Sequence, residues 1–264
     1  MYKRQVLSNE QLIQSDQYQF PYHYIPHFDD KGRPALRRSW GFAASWLAAH
    51  NLVSAKIDYL DSTIHEGINS VVDLGCGDGA LINLLSKTAS KRGERSFTGI
   101  DYDSQALKWA NAFKSNERAS FQCVDIFNDN PSLNADLLTC IEVIEHIPPE
   151  RVGAFIEASL GLLREEGFAI FTVPHANVKT AKKHFQHFTY ESLASALTPH
   201  YSILEMYGFA KLSSFSLRVL NILEFKFGIA LTSPFISRAY VSSCSRKIAE
   251  SQASRIFCLA RKNY

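Results

Sequence analysis

What the chain lacks narrows its class first. Its 264 residues include five cysteines, at 76, 123, 140, 244 and 258, and no two of them form a Cys-x-x-Cys pair. So sparse and odd a set excludes a disulfide framework and a structural zinc site, and it suits the reducing cytoplasm. Neither sign of charge dominates: 28 Lys and Arg stand against 26 Asp and Glu, for a net charge of +2. That balance supplies no broad field for nucleic acid, which is therefore not an expected partner. No run of 18 uncharged apolar residues occurs, so no transmembrane segment is expected. The polar stretch Met1–Gln19 lacks the apolar centre of a secretory signal. Internal repeats and low-complexity tracts are also absent. What is present is 46% hydrophobic residues with 20% charged ones, enough apolar material for a sizeable core.

Spacing then sets the organisation. The first 35 residues read as a polar leader ending in an aromatic segment, Tyr18 to Phe28, in which Pro21 and Pro26 exclude an ordinary helix. From Leu36 to about His65 apolar residues recur every three or four positions, predicting two short helices. From residue 70 short apolar runs alternate with amphipathic stretches, the signature of βαβ units in a mainly parallel sheet. Strands are expected at Ser70–Leu74, Ser96–Ile100, Ala119–Val124, Ala135–Ile141, Gly167–Val173, Tyr201–Tyr207 and Arg255–Arg261. Helices are expected at Asp78–Ala89, Ser104–Lys114, Pro149–Arg164 and Thr189–Leu197. The fold class is α/β, a Rossmann-like doubly wound sheet of seven strands. An insertion at about 208–253 separates the last two strands; its part from Leu212 to Phe235 reads as a helical cap over a pocket, or else as a docking surface for a lipid-carried acceptor, with peripheral membrane contact, or for a dimer partner.

The stretch Val71-Val-Asp-Leu-Gly-Cys-Gly-Asp-Gly-Ala-Leu81 carries the chemistry. A buried strand runs into glycines at 75, 77 and 79, and a helix follows. Glycines let backbone pass close to a ligand, and the helix start offers free N–H groups. After the second strand comes Asp101, placed to accept from ribose hydroxyls. Read as G-x-G-x-x-A, the loop also fits a dinucleotide fingerprint. Asp73 and Asp78, however, put carboxylates where a pyrophosphate would lie. They suit instead the ammonium and sulfonium of S-adenosylmethionine.

These residues resemble the first motif of class I S-adenosylmethionine-dependent methyltransferases, and the similarity extends over most of residues 68–208. Gly99-Ile-Asp-Tyr-Asp103, Phe121-Gln-Cys-Val-Asp-Ile126, Ile141-Glu-Val-Ile-Glu-His-Ile147 and the strand from Arg164 to Pro174 resemble the family's later motifs. Glu165-Glu166-Gly167 stands where that family usually has Pro-Gly-Gly. The resemblance implies a last strand antiparallel to the rest, a leader with helices over residues 1–66 and a methyltransferase domain over 67–264. It also implies that Asp101 holds the ribose, Tyr102 and Ile126 flank the adenine and Asp125 meets its amino group. The methionine end would then lie along Gly75, Cys76, Gly77, Asp78, Gly79 and Ile141, beside Asp73 and Glu142.

The acceptor side rests on Glu142-Val-Ile-Glu145-His146, at the carboxyl end of the fourth strand. His146 can serve as a general base with Glu145 beside it, or both can orient the loop by hydrogen bonding. Glu142, Glu145 and His146 also resemble the Glu-x-x-Glu-His cluster of metal-dependent small-RNA 2′-O-methyltransferases, with the segment His184-Phe-Gln-His187 to supply the later ligand, taken as His187. The aromatic sequence which follows that cluster in the RNA enzymes is missing here. His187-Phe-Thr instead resembles the start of a helix in small-molecule and glycan-associated methyltransferases. The expectation is thus a metal-free site that methylates a small molecule or sugar, at oxygen. The aromatic segment, with Tyr22, His23 and Tyr24, reads either as a flap across the mouth or as a strap held by aromatic burial. No motif sets the oligomeric state.

Overall fold

The computed structural model describes residues 8–19, 27–28, 34–35, 40–65, 67–88, 95–114, 116–129, 133–211 and 241–263, with a few isolated positions besides. Tyr22, His23, Tyr24 and almost all of 212–235 lie outside these residues. Seven strands form one sheet: β1 (Ser70–Leu74), β2 (Ser96–Asp101), β3 (Ala119–Cys123), β4 (Ala135–Ile141), β5 (Leu163–Pro174), β6 (Tyr201–Lys211) and β7 (Ala253–Lys262). Their order is β3-β2-β1-β4-β5-β7-β6. The pairs among β1 to β5 are parallel, and β7 runs antiparallel to both β5 and β6. Strands such as β4, Ala-Asp-Leu-Leu-Thr-Cys-Ile, are covered on both faces, which is why they read as apolar runs rather than alternations.

Side-chain alternation divides the core into two layers. Val71, Leu137, Ile170 and Phe257 face one layer, and Val72, Leu138, Phe171 and Cys258 face the other. The first layer is closed by α2 (Trp40–Thr63), whose Val53, Ile57 and Leu60 pack into it. The second is closed by α5 (Val152–Ser159) and α6 (Tyr190–Leu197) through Phe155, Ile156, Leu193 and Leu197.

Several boundaries differ from the sequence reading. The two short helices expected over 36–65 are one helix of 24 residues. No glycine or proline interrupts it after Gly41, and the buried stripe Ala49, Val53, Ile57, Leu60 runs on past the polar pair His50-Asn51. The polar leader contains α1 (Asn9–Asp16), capped by Ser8 and Gln11 in a reciprocal capping box. Strand β5 starts at Leu163, not Gly167, because Glu166 takes φ +59° and the chain bulges between the pairs Ala135–Leu163 and Leu137–Phe168. The helix expected over 149–164 is α5 flanked by two 3₁₀ turns. Strand β6 reaches Lys211, so the segment between the last two strands is 212–252.

The remaining helices follow the glycine loop and β2: α3 (Ala80–Thr88) and α4 (Ser104–Ala112). Gly79 lets α3 approach α4. Its φ is +75°, and a Cβ there would lie 2.7 Å from Ala110 Cβ and 2.8 Å from the Phe121 ring. Gly79→Ala should therefore cost about 1–3 kcal/mol through left-handed strain and overpacking. A urea denaturation midpoint unchanged from the unaltered protein would contradict this.

Candidate active site

The loop after β1 is tied to the end of β2 by its own backbone. Gly75 and Cys76 N–H groups donate to the Ile100 carbonyl at 2.8 and 3.0 Å, and Gly77 N–H donates to Asp101 Oδ2 at 2.8 Å. Asp103 N–H donates to Asp101 Oδ1 at 2.9 Å. Asp73, next to the carboxyl end of β1, accepts from Thr139 Oγ1 at 2.7 Å. Gly75 takes φ +77°, and a Cβ there would sit 2.6 Å from a Val143 methyl. Burial pushes the Asp73 carboxyl up to about 7 and the Asp101 carboxyl up to about 6. The nearby negative charges of Asp101 and Asp103 add to the respective shifts.

A cavity of about 350 Å³ opens over this loop. Asp73, Gly75, Cys76, Asp101, Tyr102, Asp125, Ile126, Ile141, Glu142, Glu145 and His146 all line it. Gly77, Asp78 and Gly79 do not. Gly79 faces Ala110 and Phe121, Gly77 lies beneath the Tyr18 hydroxyl, and Asp78 is fully buried. The loop turns inward after Cys76 towards α3, so only its first half lines the cavity. Asp125 accepts from Phe127 N–H and from Asn128 Nδ2, which fixes its carboxylate at the cavity edge. A close-approach glycine, buried carboxylates and an apolar flank at Ile126 fit an adenosine-bearing ligand with a cationic tail. They do not fit a pyrophosphate.

At the other end, Glu142 holds a left-handed φ of +57° at the end of β4. Its carboxylate accepts from Thr172 Oγ1 at 3.1 Å and from Arg255 Nε at 2.9 Å. Strand β7 thus supplies the partner of the carboxylate just past β4. Glu145 is buried, burial and the Glu142 charge hold its pKa well above the carboxylate range, and its Oε2 has no hydrogen-bond partner among the described residues.

The histidines nearby have assignable tautomers. A carbonyl can only accept, so the 2.9 Å contact of His146 Nδ1 with the Lys183 carbonyl puts the proton on Nδ1. His187 Nδ1 likewise donates to the Val178 carbonyl at 2.8 Å. His187 Nε2 then accepts from His184 Nδ1 at 2.8 Å. Both His146 and His184 are left with a lone pair on Nε2. Burial, with Lys183 alongside, holds the His146 pKa down to about 3; burial, with His146 alongside, holds His184 down to about 2. Both rings are neutral. One ligand atom from each of Glu145, His146 and His184 lies within 4.8 Å of the others.

The four-residue set Glu142, Glu145, His146 and His187 does not converge. Glu142 is held by Arg255, and His187 is spent orienting His184. His184 occupies the place expected of His187 because the turn carrying Ala181–His184 folds back onto the β4 end, where Phe185 N–H donates to the Glu145 carbonyl at 2.9 Å. The sequence reading also missed Gln14, Trp46, His50, Lys183 and Arg255, all on the cavity wall. Each comes from an element distant in sequence, and only the Ser8-x-x-Gln11 cap signalled that the leader was structured at all.

Comparison with known proteins fits this geometry. A family model described as a methyltransferase domain matches residues 45–214. The ubiquinone biosynthesis O-methyltransferase of Idiomarina loihiensis is 29% identical over 149 residues, covering 54% of this chain and 58% of that protein. The chain thus spans less than two thirds of that relative. Among solved structures, the magnesium protoporphyrin IX methyltransferase of Synechocystis with bound S-adenosylmethionine aligns with a TM-score of 0.58 at 14% identity, covering 98% of this chain and 100% of that one. A [4+2]-cyclase aligns with the same TM-score of 0.58 at 18% identity over 97% of this chain and 96% of its own. Likeness of that degree is likeness of fold, and chemistry has to be argued from the site. With the motifs, the sheet order and the matched domain in agreement, the chain belongs to the methyltransferase family, in the class I S-adenosylmethionine-dependent group.

Proposed function

We propose that this chain transfers the methyl group of S-adenosylmethionine to an oxygen of a small-molecule acceptor, in the cytoplasm. The observation that carries the reading is the glycine cradle ringed by buried carboxylates, opening on one cavity whose far end holds Glu145, His146 and His184. Five scattered cysteines with no Cys-x-x-Cys pair support the reducing compartment, and among the described residues no helix is long and apolar enough to cross a membrane. The O-methyltransferase relatives favour oxygen over nitrogen or carbon as the acceptor atom. The acceptor is a small molecule, with a sugar as the finer class to test.

When bound, S-adenosylmethionine supplies an electrophilic methyl group on a cationic sulfur. The chain's own part is to place and desolvate. Asp101 accepts from ribose hydroxyls, Tyr102 and Ile126 flank the adenine, and Asp73 faces the cationic end. Asp125 marks the adenine edge. At the acceptor end the tautomers support a second element, a divalent cation held by Glu145, His146 and His184. One buried carboxylate with an unmet oxygen beside two neutral imidazoles suits Mn, Fe or Zn, and His187 orients a ligand from behind. Such a cation would lower the proton affinity of an acceptor hydroxyl.

Calorimetric titration with S-adenosylmethionine, S-adenosylhomocysteine and NAD tests the central reading. Binding of the first two and not of NAD is the expected result. Tight NAD binding with no response to the homocysteine product would sink it.

A further inference from the structure

Residues 8–19 fold across the cavity. Ser15 Oγ donates to Asp103 Oδ2 at 2.7 Å, and Trp109 Nε1 donates to the Tyr18 carbonyl at 2.8 Å. On the opposite side Lys183 Nζ donates to Gln17 Oε1 at 3.2 Å. The segment is thus anchored both to α4 and to the turn that carries His184. Gln11 and Gln14 lie three residues apart on one face of α1, Tyr18 follows in the 3₁₀ turn after it, and all three line the cavity.

Two of them bear on the glycine loop and on what lies above it. Tyr18 is only 6% exposed, and its hydroxyl stands so close over Gly77 that a Cβ there would clash with it. The Gln14 Oε1 atom is buried with no hydrogen-bond partner among the described residues. Native structures seldom leave a buried carboxamide oxygen unmet unless a water or ligand completes it.

A zwitterionic amino-acid tail needs a donor for its carboxylate as well as an acceptor for its ammonium. The strand ends around the loop offer Asp73 and Asp101, which when ionised can only accept. We infer that residues 8–19 form the second wall of the cofactor site, with the Tyr18 hydroxyl donating to the tail carboxylate and Gln14 Oε1 accepting from the tail ammonium. This rests on the cofactor reading above and adds to it the residues that recognise the amino-acid end.

The test is calorimetric titration of the full chain with two ligands. S-adenosylhomocysteine has the tail; 5′-methylthioadenosine keeps the nucleoside and the thioether and lacks it. Tyr18→Phe and Gln14→Ala should each weaken S-adenosylhomocysteine by about tenfold to hundredfold, the range for a hydrogen bond to a charged group, and leave 5′-methylthioadenosine within about twofold. Gln14 is half-buried on α1, so Gln14→Ala decides the matter if the buried Tyr18 position does not tolerate change. Equal weakening of both ligands would reveal a merely structural role and overturn the inference, as would unaltered S-adenosylhomocysteine affinity in both variants. If the unaltered protein binds neither ligand, the cofactor reading itself has failed.

Discussion

Stripping divalent cations with EDTA should reduce methyl transfer to background, and added Mn²⁺ or Zn²⁺ should restore it. His146→Ala and His184→Ala should each lose about 10²–10⁴-fold in kcat/KM, because either change removes a ligand from a site expected to contribute several kcal/mol of charge stabilisation. His187→Ala should lose less, about 10–100-fold, with recovery at high metal concentration, since His187 acts by holding the His184 tautomer. Glu142→Gln should leave metal affinity unchanged, since Arg255 holds that carboxylate. Activity insensitive to chelator, with His146→Ala still damaging and His184→Ala harmless, would return His146 to the role of general base. Metal-loaded and apo protein differ in a second readout: melting temperature should rise with Mn²⁺ in the unaltered chain and not in His184→Ala.

Asp101→Ala should weaken S-adenosylmethionine by about 1.5–3 kcal/mol, roughly a factor of 10–100 in Kd. The same change leaves the Gly77 and Asp103 N–H groups without their acceptor, so stability should also fall, by about 1–3 kcal/mol. In the unaltered chain the affinity should depend on pH. The ligand-free Asp73 and Asp101 carboxyls titrate at about 7 and about 6, and a bound ammonium and sulfonium favour their ionised forms. Binding therefore releases protons, so affinity rises from pH 5.5 and levels off above about pH 7.5. Calorimetry in buffers of different ionisation enthalpy reads that release directly. Flat affinity across the range would mean that neither carboxylate faces the cationic end.

The parallel half of the sheet was legible because covered strands announce themselves as apolar runs. Ser70–Leu74 and Ala135–Ile141 match the structure residue for residue. The glycine loop was legible for the same reason, being confined to consecutive residues with one local purpose. What escaped was whatever depends on distance in sequence. Arg255 reaches Glu142 across 113 positions, and Lys183 reaches Gln17 across 166. The choice between His184 and His187 turned on the four-residue turn Ala181–His184, which no periodicity encodes. Helix α1 is signalled by Ser8 and Gln11 alone, because it buries no residue and so carries no apolar stripe.

The placement of β7 has a consequence for the order in which the protein comes to exist. This strand follows all the others in sequence yet lies between β5 and β6, pairing with both. During synthesis β6 therefore emerges with no neighbour, and β5 keeps an open edge until β7 is made. Glu142 waits through the same interval for the guanidinium that neutralises it. A nascent chain halted before residue 253 would hold a glycine loop and most of a cofactor site, but an unfinished sheet and an uncompensated carboxylate at the acceptor end. A single strand thus closes the sheet and completes the acceptor end of the pocket together.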